Sequence, residues 1–512
     1  MNEVKTRRAG SRERRSRAPA LEQLPWGQPQ TPFPPLEVFS AEQIDQIHDT
    51  SMRILEELGV EMMSAHARTL FREAGATVDD VTGCVRIDRN LLMKTLATAP
   101  VEFSLTPANP ERKIQIGGRA LTFGLVAGPP NVSDADRGRR PASFEDYQNF
   151  IRLAHHFNII HVIGNQVVSP LELSSETRHL DTYFANLTLS ELVFHCTAIG
   201  RARAMDGIEM MALARGISVE EMADDPSLLT IISVNSPRRF DAEMAEGLIA
   251  MSEHGQAVVV TPFTLMGAMT PVTLPAALAQ QNAEALFGAM LTQIVRPGAP
   301  VVYGSFTSNV DMRTGAPAFG TPENALANIA SGQLARRYNL PYRTSNANAS
   351  NVVDAQAAYE TQMSLWAAVL GRGNLIYHAA GWLEGGLTAS FEKLVIDVEM
   401  LQQMSRLLMP IEVNTESLAF DAIAGIATGG HFFGAEHTMD RYQTAFYHPM
   451  ISDWSNFETW SEAGALDATQ RATKVWKQAL AEYREPEMPA DRREALMAFR
   501  DRRKKEIEQN GL

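Results

Sequence analysis

Eight short apolar runs, each followed by a stretch of helical length, occupy residues 121–410 of this chain. They are LTFGLVAG (121–128), IIHVIGNQ (159–166), LVFHCTA (192–198), LLTIISVN (228–235), AVVVTPF (257–263), PVVYGSF (300–306), LPYRTSN (340–346) and NLIYHAAG (374–381). The intervening stretches include SFEDYQNFIRLAHHF, RFDAEMAEGLIAMSEHG and TPENALANIASGQLARRYN, several of which start at Ser, Asp or Thr, as helix caps should. Strands alternating with helices in this way build βαβ units. Eight units in about 290 residues predict an α/β fold of the (β/α)8 TIM-type barrel class. An open, doubly wound sheet of eight strands is the competing arrangement. No GxGxxG follows the first strand, which weakens a dinucleotide-binding reading.

The flanks differ in character. Residues 1–17 hold seven Lys or Arg against two Glu and lead into the Pro-rich piece LPWGQPQTPFPPLEVFS, so 1–35 reads as a disordered basic tail and an extended arm. Residues 36–120 read as a helical and small-β extension. Ser40 caps one helix that stops at Gly59, Ser64 caps a second that stops at Gly75, and IDRNLLMKTLATAP is a third. VEFSLTP and KIQIGG alternate as short strands. Residues 411–512 read as a C-terminal helical extension packed on the barrel, with charged peripheral helices in ATQRATKVWKQALAEYR and ADRREALMAFRDRRKKEIEQ.

Composition narrows the function. A net charge of −14 argues against general nucleic-acid binding. Only Cys84 and Cys196 are present, which fits a reducing cytoplasm and excludes a disulfide framework or a four-cysteine zinc site. The uncharged stretch Ala257–Ala283 imitates a membrane span, but Pro262, Pro271 and Pro275 break it into a strand, a loop and a helix start. Arg7-Arg8 has no apolar stretch behind it to make an export signal.

In barrels of this class the active site lies at the C-terminal ends of the strands. The residues standing there include Asn165, Phe263, Tyr303, Phe306, Arg343, Asn346, Asn348, His378, Trp382 and Glu384. The set is polar, neutral and aromatic, and is short of acid–base pairs. No strand carries a lysine for Schiff-base chemistry. His195 and Cys196 are adjacent, so a strand would point them to opposite faces, which speaks against a joint zinc site. His431, Glu436 and His437 do not form HExxH.

The runs VVYGSFTSNVDMRTGAPAFGTPE, RYNLPYRTSNANASNVVDAQAAYE, NLIYHAAGWLEGGLTASFEKLVIDVEML and GGHFFGAEHTMDRY, with PPNVSDADRGRRPASFEDY in the N-terminal half, resemble the trimethylamine methyltransferase family. The resemblance covers most of the chain beyond about residue 35. It implies methyl transfer from a methylated amine to the Co(I) of a corrinoid carried by a separate protein, with no cofactor held permanently by the barrel. The founding members carry pyrrolysine at a position matching the Arg343–Ser350 run. Only standard residues stand here, as in the branch acting on quaternary amines such as glycine betaine. A quaternary ammonium leaves as a neutral amine and needs no general acid, so catalysis reduces to positioning and desolvation. The ten residues above are then expected to bind substrate: aromatic faces against the cation, and Asn346, Asn348, His378 or Arg343 against a carboxylate. The remaining alternatives are a non-catalytic betaine-binding barrel and a folate or thiol methyl acceptor.

Overall fold

The computed structural model describes residues 21–164 and 166–511; the basic tail and Asn165 lie outside the described residues. At its centre are eight parallel strands: β1 (Thr122–Leu125), β2 (Val162–Ile163), β3 (Val193–Phe194), β4 (Leu229–Ile232), β5 (Ala257–Val260), β6 (Val301–Gly304), β7 (Tyr342–Ser345) and β8 (Leu375–Ala380). They hydrogen-bond in the spatial order β3-β2-β1-β8-β7-β6-β5-β4, and a bridge between His195 and Leu229 joins the two ends. The sheet is therefore a closed barrel rather than an open doubly wound sheet.

Each strand is followed by a helix on the outside: α1 (Phe144–His156), α2 (Arg178–Leu189), α3 (Arg201–Arg215), α4 (Ala242–Glu253), α5 (Leu274–Val295), α6 (Pro322–Arg337), α7 (Ala355–Leu370) and α8 (Phe391–Leu407). Ser143, Asp241, Thr321, Asp354 and Ser390 cap α1, α4, α6, α7 and α8 through their side-chain oxygens. The uncharged stretch that imitates a membrane span supplies β5 and the first ten residues of α5. Helices Ala41–Arg53, Ala65–Glu73 and Arg89–Leu96 of the N-terminal extension cover α5, so it is buried on nearly every side, with Gln280, Gln281, Asn282 and Glu284 buried among its apolar residues. No helix among the described residues is long and apolar enough to cross a membrane.

The lower end of the barrel is plugged. Strands Glu102–Leu105 and Ile114–Gly117 form an antiparallel hairpin, and its Leu105, Ile114 and Ile116 pack with Val162, Val193, Leu229, Ala257, Val259 and Val302 from the strands. The Pro-rich arm crosses beneath. Gln28 donates to Thr122 at 2.7 Å, and Leu121 N donates to Pro29 O at 2.9 Å. His161 is locked as the Nε2–H tautomer: Phe123 N donates to its Nδ1 at 3.0 Å, and its Nε2 donates to Gly27 O at 3.1 Å. Trp26 seals the plug, with its ring edge against His161 and the Arg112 guanidinium 5.0 Å over its face.

At the upper end the strands extend into small sheets. Phe263–Met266 and Phe306–Val310 pair in parallel above β5 and β6. Trp382–Leu383 and Thr388–Ser390 join the hairpin Asn131–Asp134/Gly138–Pro141 above β8 and β1. That hairpin is tied to the start of α1, where Arg140 bridges the buried Asp134 and Asp146 at 2.7 Å each. At the C-terminus, helix Ala468–Glu482 packs on α8 and α1, and helix Ala490–Asn510 packs on α2 and α3.

Because Trp26 closes an apolar plug at its rim, Trp26→Ala should lower unfolding stability by about 2 kcal/mol, less than a fully buried Trp→Ala. The check is a urea midpoint shift at unchanged slope.

Candidate active site

The barrel interior above the plug is a cavity of about 400 Å³ that opens at the C-terminal ends of the strands. Ala127, His195, Ile231, Thr261, Phe263, Phe306, Arg343, Tyr377, His378 and Trp382 line it, with Ser233 and Gly128, Gly385 and Gly386 toward the rim. Among the described residues no carboxylate lines the cavity.

Arg343 dominates the floor. It stands on β7, where it pairs with Gly304 on β6 and the inward-facing Leu375 on β8. Its guanidinium is 2% exposed and lies 5.3 Å over the Phe306 ring and 5.4 Å over the Tyr377 ring. Nη1 donates to Ser305 O at 3.2 Å, while Nε has no protein partner among the described residues, nor does the neighbouring Thr261 hydroxyl. No ion pair to Arg343 forms among the described residues. Burial pushes its pKa down to about 10, so it still carries its charge at neutral pH. A buried cation without a counter-ion is costly unless something else meets it.

Two histidines face that charge. His195 takes the place of a backbone acceptor at the β3–β4 seam: Ile231 N donates to its Nε2 at 3.0 Å. The proton is thereby fixed on Nδ1, which donates to the Tyr377 hydroxyl at 2.9 Å. Burial, with Arg343 adding to it, lowers the His195 pKa to about 3. His378 is held well below its ordinary value by burial, then by Arg343 and His195. Both rings are neutral in the working range and neither serves as a proton store.

The walls are aromatic. The register that sets Phe263 beside Phe306 brings their rings to 5.1 Å. Trp382 stands edge-on to Phe306 at 6.1 Å and against the His378 ring at 4.1 Å. Two glycines make room. A Cβ on Gly124 would meet the Tyr377 ring at 3.0 Å, and one on Gly386 would sit 2.5 Å from the Trp382 indole.

β8 is bulged between Ile376 and Ala380, and His378 has a positive φ of 54°. A regular strand would turn Tyr377 and His378 to opposite faces; the bulge brings both to the cavity. A buried network holds the bulge from behind. Asp397 on α8 accepts from Gly381 N at 2.8 Å and from Lys393 Nζ at 2.5 Å. Lys393 also donates to Thr361 on α7 at 2.8 Å. Asn348 Nδ2 donates to Trp382 O at 2.9 Å, and Trp382 Nε1 donates back to Asn348 O at 3.1 Å.

Of the residues expected at the mouth, Phe263, Phe306, Arg343, His378 and Trp382 come together. Tyr303 does not. It points outward to α5, where its hydroxyl donates to Asn282 at 2.9 Å. Adjacent strand residues face opposite ways, and Gly304 is the inward one here. Asn346 and Asn348 stand behind the wall; Asn346 Nδ2 donates to Ala379 O of β8 at 3.1 Å and Asn348 to Trp382 O, so the amides join the loop after β7 to β8 and its continuation. Glu384 sits at the rim, in an ion pair with Arg139 at 2.8 Å and accepting from Thr388, which pins the two hairpins together. Asn165 is outside the described residues. Neither His195, which ends the third strand run, nor Tyr377 is among the ten residues expected to bind substrate, and both line the cavity. Parity counted from Arg343 finds Tyr377, because Ser345 and Tyr377 are register partners on the same face.

A family model described as trimethylamine methyltransferase (MTTB) matches residues 5–508. The chain belongs to this family. It is 35% identical over 476 residues to the glycine betaine methyltransferase of Desulfitobacterium hafniense strain Y51, covering 93% of this chain and 98% of that protein. It is 28% identical to a trimethylamine methyltransferase of Desulfitobacterium hafniense, covering 88% and 90% of the two chains. A proline betaine:corrinoid methyltransferase of Eubacterium limosum is 27% identical, with 91% and 95% covered. This member of the trimethylamine methyltransferase family is accordingly a methyltransferase with its cavity inside a (β/α)8 barrel.

Two outcomes test the site's construction. Lys393→Met should cost about 3–5 kcal/mol by leaving Asp397 buried and unpaired, and the double variant Lys393→Met/Asp397→Asn should recover at least half. Chemical denaturation reads both. The buried neutral histidines give a second outcome. His161 is lowered to about 4 and His195 to about 3, both by burial, and His378 is lowered too. Below the ordinary value near 6.5 the unfolded chain binds more protons than the folded one, so stability falls as pH falls. Each of the three should contribute a loss of about 1 kcal/mol between about pH 7.5 and 5.5, measured as urea midpoints.

Proposed function

We propose that this methyltransferase demethylates a betaine, a small zwitterion with a quaternary ammonium at one end and a carboxylate at the other, and passes the methyl group to a corrinoid held by a partner protein. The observation that carries the reading is Arg343, a buried, charged guanidinium without a counter-ion, facing an aromatic cavity that contains no carboxylate. A carboxylate on the substrate supplies the missing anion, and a charge-assisted contact in such a site is strong. The quaternary ammonium fits against Phe263, Phe306 and Trp382, whose faces attract a cation by about 0.5–2 kcal/mol each when desolvated.

The relatives support this reading. Proteins named for glycine betaine and proline betaine match more than nine-tenths of this chain. A cation without a carboxylate, such as choline, would leave Arg343 unpaired and add a like charge beside it.

The reaction then asks little proton chemistry of the protein. In-line attack on one N-methyl carbon breaks its C–N bond, and the electron pair stays on nitrogen, which leaves as a neutral tertiary amine. No group has to donate a proton, and the neutral His195 and His378 offer none. The chain's own residues hold the carboxylate end at Arg343, fix the ammonium by its aromatic neighbours, and exclude water from the floor. The methyl to be transferred faces the open mouth, where a corrinoid supplies a strong Co(I) nucleophile.

Purified protein, reduced corrinoid, and a panel of glycine betaine, proline betaine, choline and trimethylamine test the proposal. Methyl transfer should occur from a carboxylate-bearing betaine and be far weaker from choline. Arg343→Met should lower kcat/KM for that betaine by about 100-fold or more, the loss expected for a buried charged contact. Trp382→Ala should raise KM by about tenfold, one strong cation–π contact. Substrate affinity should be flat from about pH 6 to 9, since no cavity group with a stated shift titrates there. Equal use of choline by the wild type would overturn the reading, as would transfer only to a folate or thiol acceptor.

A further inference from the structure

Between Met409 and Met450 not one residue is buried, although the segment carries Ile411, Val413, Leu418, Phe420, Phe433 and Phe446. Phe420 is 74% exposed, Phe433 82% and Phe446 76%. The segment is nonetheless folded. It contains the helical turns Thr415–Leu418, Phe420–Ala424 and Glu436–Met439, and Arg441 pairs with Glu416 across it. Ordering some forty residues of which none is fully buried gives little return on lost conformational entropy.

Its position excludes one class of partner. The segment leaves the foot of α8 after Leu407 and returns there, where Arg406 Nη2 donates to Ala445 O at 3.3 Å. Barrel helices run opposite to the strands, so this is the end away from the cavity mouth. A methyl acceptor approaching the mouth does not cover it.

The same molecule carries a second bare surface. Tyr359, Met363 and Trp366 recur at i, i+4 and i+7 on the outer face of α7, and are 62%, 45% and 38% exposed. Leu326 of the adjoining α6 continues the stripe. The only charged residue of α7 is Glu360, which is buried and accepts from Ala349 and Ser350 N. An exposed helical face without a charge has the composition of an interface centre.

We propose that residues 411–446 form an exchange arm that packs on the outer face of α7 of a second copy of this chain. Two-fold symmetry makes the contact reciprocal, each arm covering the partner's stripe. The areas agree. Phe420, Phe432, Phe433, Tyr442 and Phe446 of the arm expose roughly 660 Å², taking about 200 Å² per aromatic side chain, and Ile411, Val413 and Leu418 add to it. A stable interface buries about 800 Å² per partner, whereas the largest apolar patch of an ordinary monomer is about 300–600 Å².

Sedimentation velocity of the full chain over a wide concentration range tests this. The wild type should sediment as a dimer or an even multiple. Phe433→Glu on the arm and Trp366→Glu on α7 should each weaken self-association at least tenfold, with unchanged circular dichroism. Met363→Glu repeats the α7 test should Trp366→Glu lose its fold. Phe433→Cys mixed with Met363→Cys should give a disulfide-linked dimer that neither gives alone. A monomeric wild type would overturn the proposal, because the arm would then fold onto its own α7 or remain bare. A multimer indifferent to all the substitutions would overturn it equally. None of these readouts depends on methyl transfer.

Discussion

The guanidinium of Arg343 sets the terms for the rest of the barrel interior. A buried cation needs electron-rich neighbours, and the described residues provide the π faces of Phe306 and Tyr377 rather than a carboxylate. A carboxylate in that place would neutralise the arginine permanently and leave nothing for a ligand to satisfy. The surrounding groups are arranged to be neutral as well. His195 gives one nitrogen to the β3–β4 seam and the other to Tyr377, which fixes both its tautomer and its charge. The field inside the cavity is thus that of one fixed positive charge with aromatic walls above it. On the proposed reading, such a field selects for a zwitterion presented in one orientation.

Holding the walls in place takes a second set of interactions, outside the cavity. The β8 bulge puts Tyr377 and His378 on the same side at the expense of a positive φ at His378. The Lys393–Asp397 pair, Thr361 and Asn348 secure the loop that follows, through Gly381 N and both ends of the Trp382 indole and backbone. The asparagine-rich run that follows β7 serves this framework: its side-chain amides tie the β7 loop to the end of β8 and to Trp382 beyond it.

Much of the architecture was legible before any coordinates. Eight apolar runs with capped helices between them specify the strand count, and burial on both faces follows from runs such as AVVV and VVYG. That same continuity hid the parity. In VVYG every position is apolar or small, so nothing local says whether Tyr303 or Gly304 looks inward; the partner strand's Arg343 decides it. Phe263, Phe306, Arg343, His378 and Trp382 were readable because polar and aromatic residues at strand ends have few other uses. Tyr377 was hidden by an alternation that the bulge breaks, and His195 by its adjacency to Cys196, which packs instead in the outer core against Tyr183.

The sequence by itself determined the periodicities, the caps and the residue types available at the barrel mouth, because these depend on neighbours within a few positions along the chain. Only the tertiary structure decided which of those residues share a cavity. That depends on strand register, on one bulge, and on a β3–β4 closure made by a backbone bridge and an imidazole, each a contact between residues far apart in sequence. The charge left unpaired at Arg343 is of the same kind, since a missing partner shows only when every neighbour is in place.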